Sequence, residues 1–517
     1  MWEYYENKTI LITGGSGFLG TVIVHRLLSQ TSVRNIYLIC RGGSVNLREK
    51  WNKSLPLSTV QSLCNSNRLT VFDGDILSPN MGLAERELHV LRKESNVIIH
   101  SASSINLAKP LSSLSNVIIG ASEMMAKFAL SCESLGCFIF ISTAYANSHL
   151  CPINPTFETE VNEVIYELDD YPDIHDEWKE VQKFGTSRAF ENHDFPFPYA
   201  YAKNLTERLL LSMFTVSGIE EKLLIARPSI IGPAQLLPFP GYSVPTSTPS
   251  TMLAASVALI PQWNFRIATR SRAPGVEVHV DEVPVDVVVD RILSHLAKGT
   301  HGCFHAVSGK RARLRFKEVW QLGTQLRRIP WRLNLLWISA DWKSPLQHPI
   351  ARLYVVLGTS FAFAEDKTVS LEQRMLKGEK ADLQLFNNIN LGDHLLSRKE
   401  DIRYAIQTAM TEKYSIGTRA ESERLVREWG FQHVFTWTDG SNYHYSPHSH
   451  SGLTTHLIRR GSLTITYPDD NAKLHNGEVK KETFRVGERI DVPAGKIHEV
   501  WIGNEGCSWI ILFYLMV

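Results

Sequence analysis

The chain has 517 residues, of which 44% are hydrophobic and 21% charged, and its formal net charge is +1. A chain of this length exceeds what one hydrophobic core fills, and the near-neutral charge argues against nucleic acid or an anionic membrane as the main partner. Seven scattered cysteines and an N-terminus without a secretory signal favour reduced thiols, so we expect a cytoplasmic protein of two or three domains.

Apolar runs alternate with helix-length segments through the first part of the chain. Continuous apolar runs of this kind are typical of parallel strands that are covered on both faces. We therefore predict an α/β doubly wound, Rossmann-type parallel sheet in a first domain over residues 1–330. The predicted strands are 9–13, 36–39, 69–72, 97–100 and 138–141.

The pattern changes twice after this domain. Charged helical stretches such as 397–414 and 419–430 predict a helical substrate or connector region over 331–428. Within it, the apolar segment 351–364 is shorter than the roughly 20 residues that span a bilayer, so we expect a buried helix or a shallow interfacial segment. Short strands separated by Gly, Pro and Asn/Asp turns over 429–517 predict an all-β barrel or jelly roll.

Three glycines follow the first predicted strand directly. Gly14, Gly17 and Gly20 open a helical run that includes Phe18 and Leu19. Glycine at this spacing allows a tight turn, close approach of a pyrophosphate and close packing of helix on strand. Free N–H groups at the helix start then favour the phosphates. The sequence therefore predicts a dinucleotide site at these five residues.

Polar residues after the next strands indicate which dinucleotide binds. Arg41 follows the second strand, where an Asp or Glu would hydrogen-bond an unphosphorylated ribose. A guanidinium pairs with a 2′-phosphate instead, so NADPH is favoured, although Arg41 also fits a solvated surface position. Asp75, followed by Ile76, is placed to accept from the adenine amino group, and Ser101 and Ala102 are placed to line the cofactor.

A tyrosine and a lysine one helical turn apart supply the candidate chemistry. Tyr199 and Lys203 share a helix face. Hydride transfer to a carbonyl needs a proton donor, and Tyr199 is the candidate. We expect Lys203 to hold the cofactor ribose and, as a cation, to lower the phenol pKa of Tyr199 toward the working pH. A hydroxyl at the end of the fifth strand can bind the substrate carbonyl. Thr143 is the first choice for this role and Ser142 the alternative.

The motifs together resemble a known family. In this order they occur in the fatty acyl-CoA reductases, the male-sterility type of NAD-binding domain within the extended short-chain dehydrogenases, and thioester reductase domains are close relatives. The resemblance covers roughly residues 5–320. The motifs are Thr13-Gly-Gly-Ser-Gly-Phe-Leu-Gly20, Ile141-Ser-Thr-Ala-Tyr-Ala-Asn147, Tyr199-x-x-x-Lys203, Ala226-Arg-Pro-Ser-Ile-Ile-Gly-Pro233, Pro240-Gly-Tyr242 and Val280-Asp-Glu-Val-Pro-Val-Asp286.

The resemblance implies NADPH-dependent reduction of an acyl thioester to an aldehyde or an alcohol. The acyl group would arrive on CoA or on an acyl carrier protein. Thr143, Tyr199 and Lys203 would form the catalytic trio, and Asn116 matches the helix Asn that supports the Lys in this superfamily. The chain departs from the family at Tyr242, where Trp is usual, and in the loosely matching helical segment after residue 331.

Histidines in the C-terminal region resemble a second family. The motifs His448-Ser-His450 and Gly487-x5-Pro-Ala-Gly-x2-His498 resemble those of the cupin barrels. Alternate residues of a strand face one side, so three imidazoles can converge on Zn, Fe, Ni or Cu. The usual Glu is Thr454 here, while His456 lies nearby with the same strand parity. We expect a cupin that binds metal, processes the product or forms a homodimer, with a metal-free binding module as the alternative.

Two other functions compete with thioester reduction. Some bacterial nucleotide-sugar enzymes also join an extended reductase or epimerase to a C-terminal cupin. Against this reading stand Arg41 and the motifs that begin at Ala226 and Val280, which resemble the acyl reductase pattern. A non-enzymatic NADP-binding scaffold with a ligand-sensing cupin is disfavoured by the trio Thr143, Tyr199 and Lys203.

Overall fold

A computed structural model of the chain divides into two compact units. The first consists of Met1–Ala254, Trp263–Thr324 and Leu333–Asp401, and the second of Ala255–Gln262, Gln325–Arg332 and Ile402–Val517. The structure describes residues 1–153, 155, 158–244, 247–260, 262–327, 332–386, 402, 406, 423, 427, 433–452, 454–471, 479, 481–486 and 488–513.

A seven-stranded, all-parallel sheet forms the centre of the first unit. The predicted doubly wound sheet is confirmed, and all five predicted strands lie in it. Two further strands, β7 and β12, extend it beyond β5. The strands are β1 (Thr9–Thr13), β2 (Asn35–Cys40), β3 (Leu69–Asp73), β4 (Val97–His100), β5 (Cys137–Ile141), β7 (Leu223–Pro228) and β12 (Gly302–Ala306).

The order of these strands places a crevice at one point of the sheet. From edge to edge the strand order is β12-β7-β5-β4-β1-β2-β3. The chain adds β2 and β3 on one side of β1 and then β4 and the later strands on the other side, so the strand order reverses between β1 and β4. Ligands of open parallel sheets bind beyond the carboxyl ends of the strands at such a reversal. Every residue of β1, β4 and β5 is buried, so the strands around this reversal lie in the interior of the unit.

Helices cover the sheet and continue beyond it. Much of the core packs one face of the sheet against α1 and α12, including Val22, Ile23 and Leu27 of α1. The helices are α1 (Phe18–Gln30), α2 (Gly43–Asn52), α3 (Leu57–Cys64), α4 (Glu85–Glu94), α5 (Leu111–Ser115), α6 (Ala121–Leu130), α7 (Ile174–Phe184), α8 (Arg188–Asn192), α9 (Pro198–Val216), α10 (Pro249–Leu259), α11 (Pro274–Glu277), α12 (Val285–Ala297), α13 (Gly309–Ala312), α14 (Phe316–Gln325), α15 (Pro349–Leu353), α16 (Asp366–Arg374) and α17 (Lys377–Ala381).

Single helical turns and short strand pairs complete the first unit. The turns are Trp2–Tyr5, Pro79–Gly82, Asn116–Gly120, Ala144–Leu150, Glu220–Lys222 and Val355–Gly358, of which Asn116–Gly120 is π-helical. The paired short strands are β6 (Thr159–Val161) with β15 (Phe361–Phe363), β8 (Ile230–Gly232) with β11 (Glu282–Pro284), β9 (Asn264–Ile267) with β14 (Asn334–Trp337) and β10 (His279–Val280) with β13 (Leu314–Arg315).

The predicted helical region after residue 330 needs correction in its described part. Residues 332–386 contain α15 to α17, but also β14 and β15. Most of the segment 351–364 is buried as expected, although Arg352 is exposed, and its helix ends at Leu353. Gly358 lies so close to the Ala268 carbonyl that a side chain would overlap it, and the chain then continues as β15. The two charged stretches 397–414 and 419–430 lie outside the described residues, apart from four single positions.

The second unit contains a six-stranded antiparallel sheet. The predicted β-rich C-terminal region is confirmed. Ile458, Leu463, Ile465, Val500 and Trp509 belong to its core cluster. A short helix, Pro468–Asn471, follows the third strand. The strands are β16 (His433–Asp439), β17 (His444–His448), β18 (Thr454–Thr466), β19 (Lys481–Arg485), β20 (Arg489–Val492) and β21 (His498–Phe513).

The predicted three-domain division into 1–330, 331–428 and 429–517 stays a prediction. Among the described residues, no helix combines the length and the apolar character needed to cross a bilayer.

Candidate active site and histidine cluster

The turn between β1 and α1 requires glycine at two of the three predicted positions. Gly14 has a φ of +77°, and a Cβ there would lie 2.7 Å from the Ala102 backbone nitrogen. A Cβ at Gly20 would overlap the Gly14 carbonyl oxygen. Gly17 precedes α1 and donates its N–H to that same carbonyl at 2.9 Å. The turn is therefore a cradle that side chains would fill, which fits a pyrophosphate.

The predicted cofactor residues at this turn line one cavity of about 340 Å³. Since the cavity extends from the start of α1 to the end of β5, a dinucleotide there would reach the candidate catalytic groups. Its lining includes Gly14, Gly17, Phe18, Leu19, Gly20, Ser101, Ser142, Thr143, Tyr199 and Lys203. Ala102 flanks it through its contact with Gly14.

A buried hydrogen-bond chain holds the residues at the ends of β1 and β4. Thr13 Oγ1 lies 2.8 Å from His100 Nδ1, and His100 Nε2 lies 3.2 Å from Ser122 Oγ. Ser122 donates its own proton to the Ile118 carbonyl, so it can only accept from His100. His100 therefore carries its proton on Nε2 and accepts from Thr13. Burial, aided by the Lys203 charge, lowers the pKa of His100 to about 3, which keeps it neutral.

The residues predicted to contact the 2′-phosphate and the adenine, Arg41, Asp75 and Ile76, do not belong to the described lining of the cavity. The Arg41 side chain is 69% exposed, and its Nη1 is 4.0 Å from Asp75 Oδ2. Asp75 Oδ1 accepts from the Leu77 N–H at 3.0 Å, and Ile76 is half-buried. An exposed guanidinium beside one distant carboxylate keeps most of its donors available for a phosphate.

Two adjacent hydroxyls reach the cavity from the end of β5. Thr143 Oγ1 accepts from the Tyr145 N–H at 3.3 Å and donates to the Pro228 carbonyl over 3.4 Å. Ser142 Oγ is buried and has no hydrogen-bond partner among the described residues. The long bond of Thr143 leaves its proton available to a ligand, and the Ser142 hydroxyl is equally available. Both predicted hydroxyls thus belong to residues that line the cavity, and their role in binding a substrate oxygen stays a prediction.

Tyr199 and Lys203 enter the same cavity from the first turns of α9. Lys203 is 1% exposed, and its Nζ donates to the Ile141 carbonyl at 2.8 Å. The ammonium lies 4.6 Å from the centre of the Phe140 ring and 6.0 Å from that of Tyr199. The helix thus places a phenol and a cation beside the end of β5, as their spacing predicted.

The predicted lowering of the Tyr199 pKa is not found in the fold, because burial shifts this pKa in the opposite direction. Burial raises the pKa of Tyr199 above its ordinary value, and it lowers the pKa of Lys203 to about 7, against a smaller upward effect of Glu207. Desolvation disfavours the charged phenolate, and this burial accounts for the shift of the Tyr199 pKa. In the ligand-free protein Tyr199 is therefore a protonated donor.

Asn116 does not belong to the described lining of this cavity. It is exposed and begins the π-helical turn that follows α5, while Lys203 bonds to Ile141. The supporting role assigned to Asn116 stays a prediction.

A buried polar network joins α9 to the turn that follows β5. Asn204, next to Lys203, donates to Asn147 Oδ1 at 2.9 Å and accepts from Arg208 at 2.9 Å. Arg208 forms a two-point ion pair with Glu177 of α7 at 2.7 and 2.8 Å. The network fixes α9 against the helical turn that directly follows Thr143. These pairings could not be predicted from the sequence, because the partners are far apart along the chain.

The other side of the cavity is apolar. Residues from the loop after β4, from the start of α9 and from the segment after α15 form this wall. They are Ile105, Leu107, Phe197, Leu353, Tyr354, Val356 and Leu357. An apolar wall beside a hydroxyl and a phenol suits a substrate with a hydrocarbon part next to a carbonyl.

The three predicted histidines converge in the second unit. One ligand atom from each of His448, His450 and His498 lies within 4.8 Å of the others. His448 Nδ1 contacts the Ser446 carbonyl at 2.8 Å, and His498 Nδ1 contacts the Lys496 carbonyl at 3.0 Å. A carbonyl only accepts, so both rings carry the proton on Nδ1 and present the Nε2 lone pair. This donor set fits a divalent transition metal.

A cavity of about 680 Å³ opens beside these histidines. Burial lowers the pKa of the adjoining His456 to about 3, so that imidazole is neutral. The lining consists of Glu423, Val434, Phe435, Thr436, Trp437, Tyr445, His448, His450, His456, Leu463, Ile465, Ile490, His498, Val500 and Trp509. Thr454, in the position of the usual carboxylate, is buried.

Residues 12–292 match the family model described as male sterility protein, an NAD-binding domain. The chain belongs to the male sterility protein family. Its first unit therefore carries the NAD-binding domain of an oxidoreductase and a site for a nicotinamide cofactor. The match includes the glycine turn, the two hydroxyls and the Tyr199–Lys203 pair.

Relatives within this family are fatty acyl-CoA reductases. Human fatty acyl-CoA reductase 1 is 27% identical over 302 residues, which cover 56% of this chain and 55% of the relative. Mouse fatty acyl-CoA reductase 2 is 27% identical over 324 residues, covering 59% of each. A putative fatty acyl-CoA reductase of Drosophila melanogaster, CG8306, is 25% identical over 306 residues. The chain spans about half the length of the curated relatives it matches.

Two solved reductase domains share the fold. The terminal R domain of the myxalamid PKS-NRPS biosynthetic pathway aligns with a TM-score of 0.51 at 16% identity, over 79% of this chain and 91% of that one. The R domain of a nonribosomal peptide synthetase from Mycobacterium tuberculosis gives 0.51 at 16% identity, over 77% and 92%. The male sterility match ends at residue 292, so the apolar wall from Leu353 to Leu357 and the histidine cluster lie beyond it.

Proposed function

We propose that the first unit reduces an acyl thioester with NADPH, giving an aldehyde or an alcohol. The observation that carries the proposal is that the glycine turn, Thr143, Tyr199 and Lys203 line one cavity with an apolar wall. The family and its fatty acyl-CoA reductase relatives support the same chemistry.

The residues have separate tasks in this reaction. Bound NADPH supplies the hydride to the thioester carbonyl carbon. Thr143, with Ser142 as the alternative, donates a hydrogen bond to the carbonyl oxygen and holds it toward Tyr199. The Tyr199 hydroxyl gives its proton to that oxygen as the carbon receives the hydride. Departure of the thiol leaves the aldehyde, and a second hydride and proton would give the alcohol.

Lys203 prepares the site for cofactor and proton transfer. Its poorly solvated ammonium gains a strong partner when an anionic nucleotide enters, which raises its pKa again. The recharged cation then offsets the negative charge that develops on the phenol oxygen. We propose that Arg41 binds the 2′-phosphate and so selects NADPH over NADH.

The activity is tested by following NADPH oxidation with a panel of acyl-CoA and carrier-linked thioesters and identifying the products. Tyr199→Phe should lose most of the turnover while retaining NADPH binding. Tyr37→Phe is a matched control, because Tyr37 lies on β2 and donates to Glu94. Near-normal turnover by Tyr199→Phe would contradict the proton-donor role. If the protein binds NADPH but oxidises it with none of the thioesters in the panel, the thioester assignment is wrong.

We further propose that the second unit is a cupin barrel that holds a divalent metal at His448, His450 and His498. The converging lone pairs of the three imidazoles support this assignment. Metal analysis of the purified protein should find about one transition metal per chain, which His498→Ala loses. Metal retained at full stoichiometry by that variant would contradict the site. The carrier-protein partner, the homodimer and the cytoplasmic location stay predictions.

A further inference from the structure

The cavity of the second unit contains polar atoms without a partner. Trp509 is 3% exposed and lines this cavity, yet its indole N–H has no acceptor among the described residues. His456 Nδ1 is likewise buried and unpartnered there. A buried donor without an acceptor is destabilising, and in a native protein such a group requires an explanation, of which a bound ligand is one. The indole N–H can only donate, so it requires an acceptor.

The positive charge of a metal ion at the three histidines would favour an anionic ligand in the cavity. Three neutral imidazoles leave both positive charges of a divalent metal uncompensated, and burying a charge without a counter-charge is strongly unfavourable. Glu423 is the acidic residue of the described lining. It accepts from the Thr436 hydroxyl at 2.8 Å and does not belong to the group within ligand reach of the histidines. Among the described lining residues, one acidic group away from the histidines would leave a metal-bound site with a net positive charge.

The remaining walls are apolar. Val434, Leu463, Ile465, Ile490 and Val500 contribute aliphatic side chains, and the volume of about 680 Å³ lies within the range of small-molecule sites. The Tyr445 hydroxyl is already committed, since it donates to Asp439 at 2.8 Å. An occupant must therefore combine one acceptor-rich anionic group with a hydrocarbon body.

We propose that this cavity binds an organic monocarboxylate with an apolar body. The carboxylate lies at the histidine site and accepts the Trp509 N–H, while the body packs against the aliphatic walls. The proposal rests on the metal site proposed above. A carboxylate of this kind is the free acid of an acyl thioester, so the second unit would bind a compound related to the substrate of the first.

The test uses the full chain reconstituted with Co²⁺, whose visible spectrum reports its ligands. Octanoate is the probe, and octanol and octanamide are the uncharged controls. Octanoate should change the spectrum and bind saturably, at least ten-fold more tightly than either control. A Co²⁺ spectrum that octanoate leaves unchanged would overturn the carboxylate site alone. Failure to obtain a bound Co²⁺ spectrum would overturn the metal site and this proposal with it.

A paired substitution tests the hydrogen bond. Trp509→Phe keeps an aromatic ring and removes the N–H, so octanoate affinity should fall about ten-fold or more. The matched control is Trp501→Phe, because Trp501 lies on the same strand but stacks on His444 and Lys481 and does not line the cavity. Both variants should bind Co²⁺ with the normal spectrum. Equal octanoate affinity in the two variants would refute the role of Trp509, and octanol binding as tight as octanoate would refute the charge argument.

Discussion

Replacing Lys203 by Met should change how the stability of the cofactor-free protein depends on pH. Burial lowers the pKa of Lys203 from 10.5 to about 7 in the folded chain. Between these values the unfolded chain binds more protons than the folded one, so the free energy of unfolding rises with pH. The contribution is full above the unfolded pKa and is lost as pH falls through the folded pKa.

The size of the effect follows from these two pKa values. Each pH unit within the window is worth at most about 1.4 kcal/mol. Since the folded Lys203 is half protonated near pH 7, the gain between pH 7 and pH 9 is about 2 kcal/mol. Lys203→Met has no proton to lose, so its own curve should lack this rise.

Urea-induced unfolding of both proteins at pH 7, 8 and 9 measures this difference. The free energy of unfolding of the wild type, minus that of Lys203→Met, should increase by about 2 kcal/mol across the series. Lys127→Met is the control, because Lys127 is exposed and pairs with Glu123 on the surface of α6. Parallel curves for wild type and Lys203→Met would refute the claim that burial displaces the Lys203 pKa.

Other substitutions test separate parts of the site. Gly20→Ala should abolish NADPH binding in a fluorescence titration, because its Cβ would overlap the glycine turn, and binding within two-fold of wild type would contradict this. Arg41→Ala should weaken NADPH about ten-fold or more and leave NADH unchanged, and equal losses for both nucleotides would contradict the phosphate contact. In assays of NADPH oxidation, Thr143→Ala should reduce kcat more than Ser142→Ala, and the reverse order would assign the substrate oxygen to Ser142.

The central sheet could be predicted where its strands are mostly apolar. Each of the five predicted strands is a largely apolar run of the kind typical of parallel strands, although the edge strand β3 is only partly buried. The strand β7 was not predicted because its pattern contains Arg227, which suggests an exposed position. In the fold Arg227 is fully buried, and its charge is matched by Glu207 of α9. A strand that contains a buried ion-paired residue therefore cannot be recognised by its hydrophobic pattern alone.

The candidate site could be predicted where its residues are close in sequence or belong to the motifs that resemble a known family. Helical spacing brings Tyr199 and Lys203 together, and the glycine turn is contiguous. By contrast, Asn147 and Asn204 meet across 57 residues, and local periodicity indicates that such residues are buried but not which polar partner each one meets. The direction of the Tyr199 pKa shift could not be predicted for a similar reason, since it depends on burial by residues from distant parts of the chain.

In the proposed thioester reduction, one part of the apolar wall that would contact the acyl chain comes from outside the region shared with the family. The hydroxyls, the phenol and the ammonium come from β5 and α9, within the region that the male sterility family shares. The apolar wall from Leu353 to Leu357 comes from a segment beyond that region, after a helix that ends at Leu353. Substitutions in this wall can reshape the hydrocarbon side of the cavity without moving a proton donor. Selectivity for the acyl group is therefore expected to follow this segment, and the reaction type to follow Tyr199 and its neighbours.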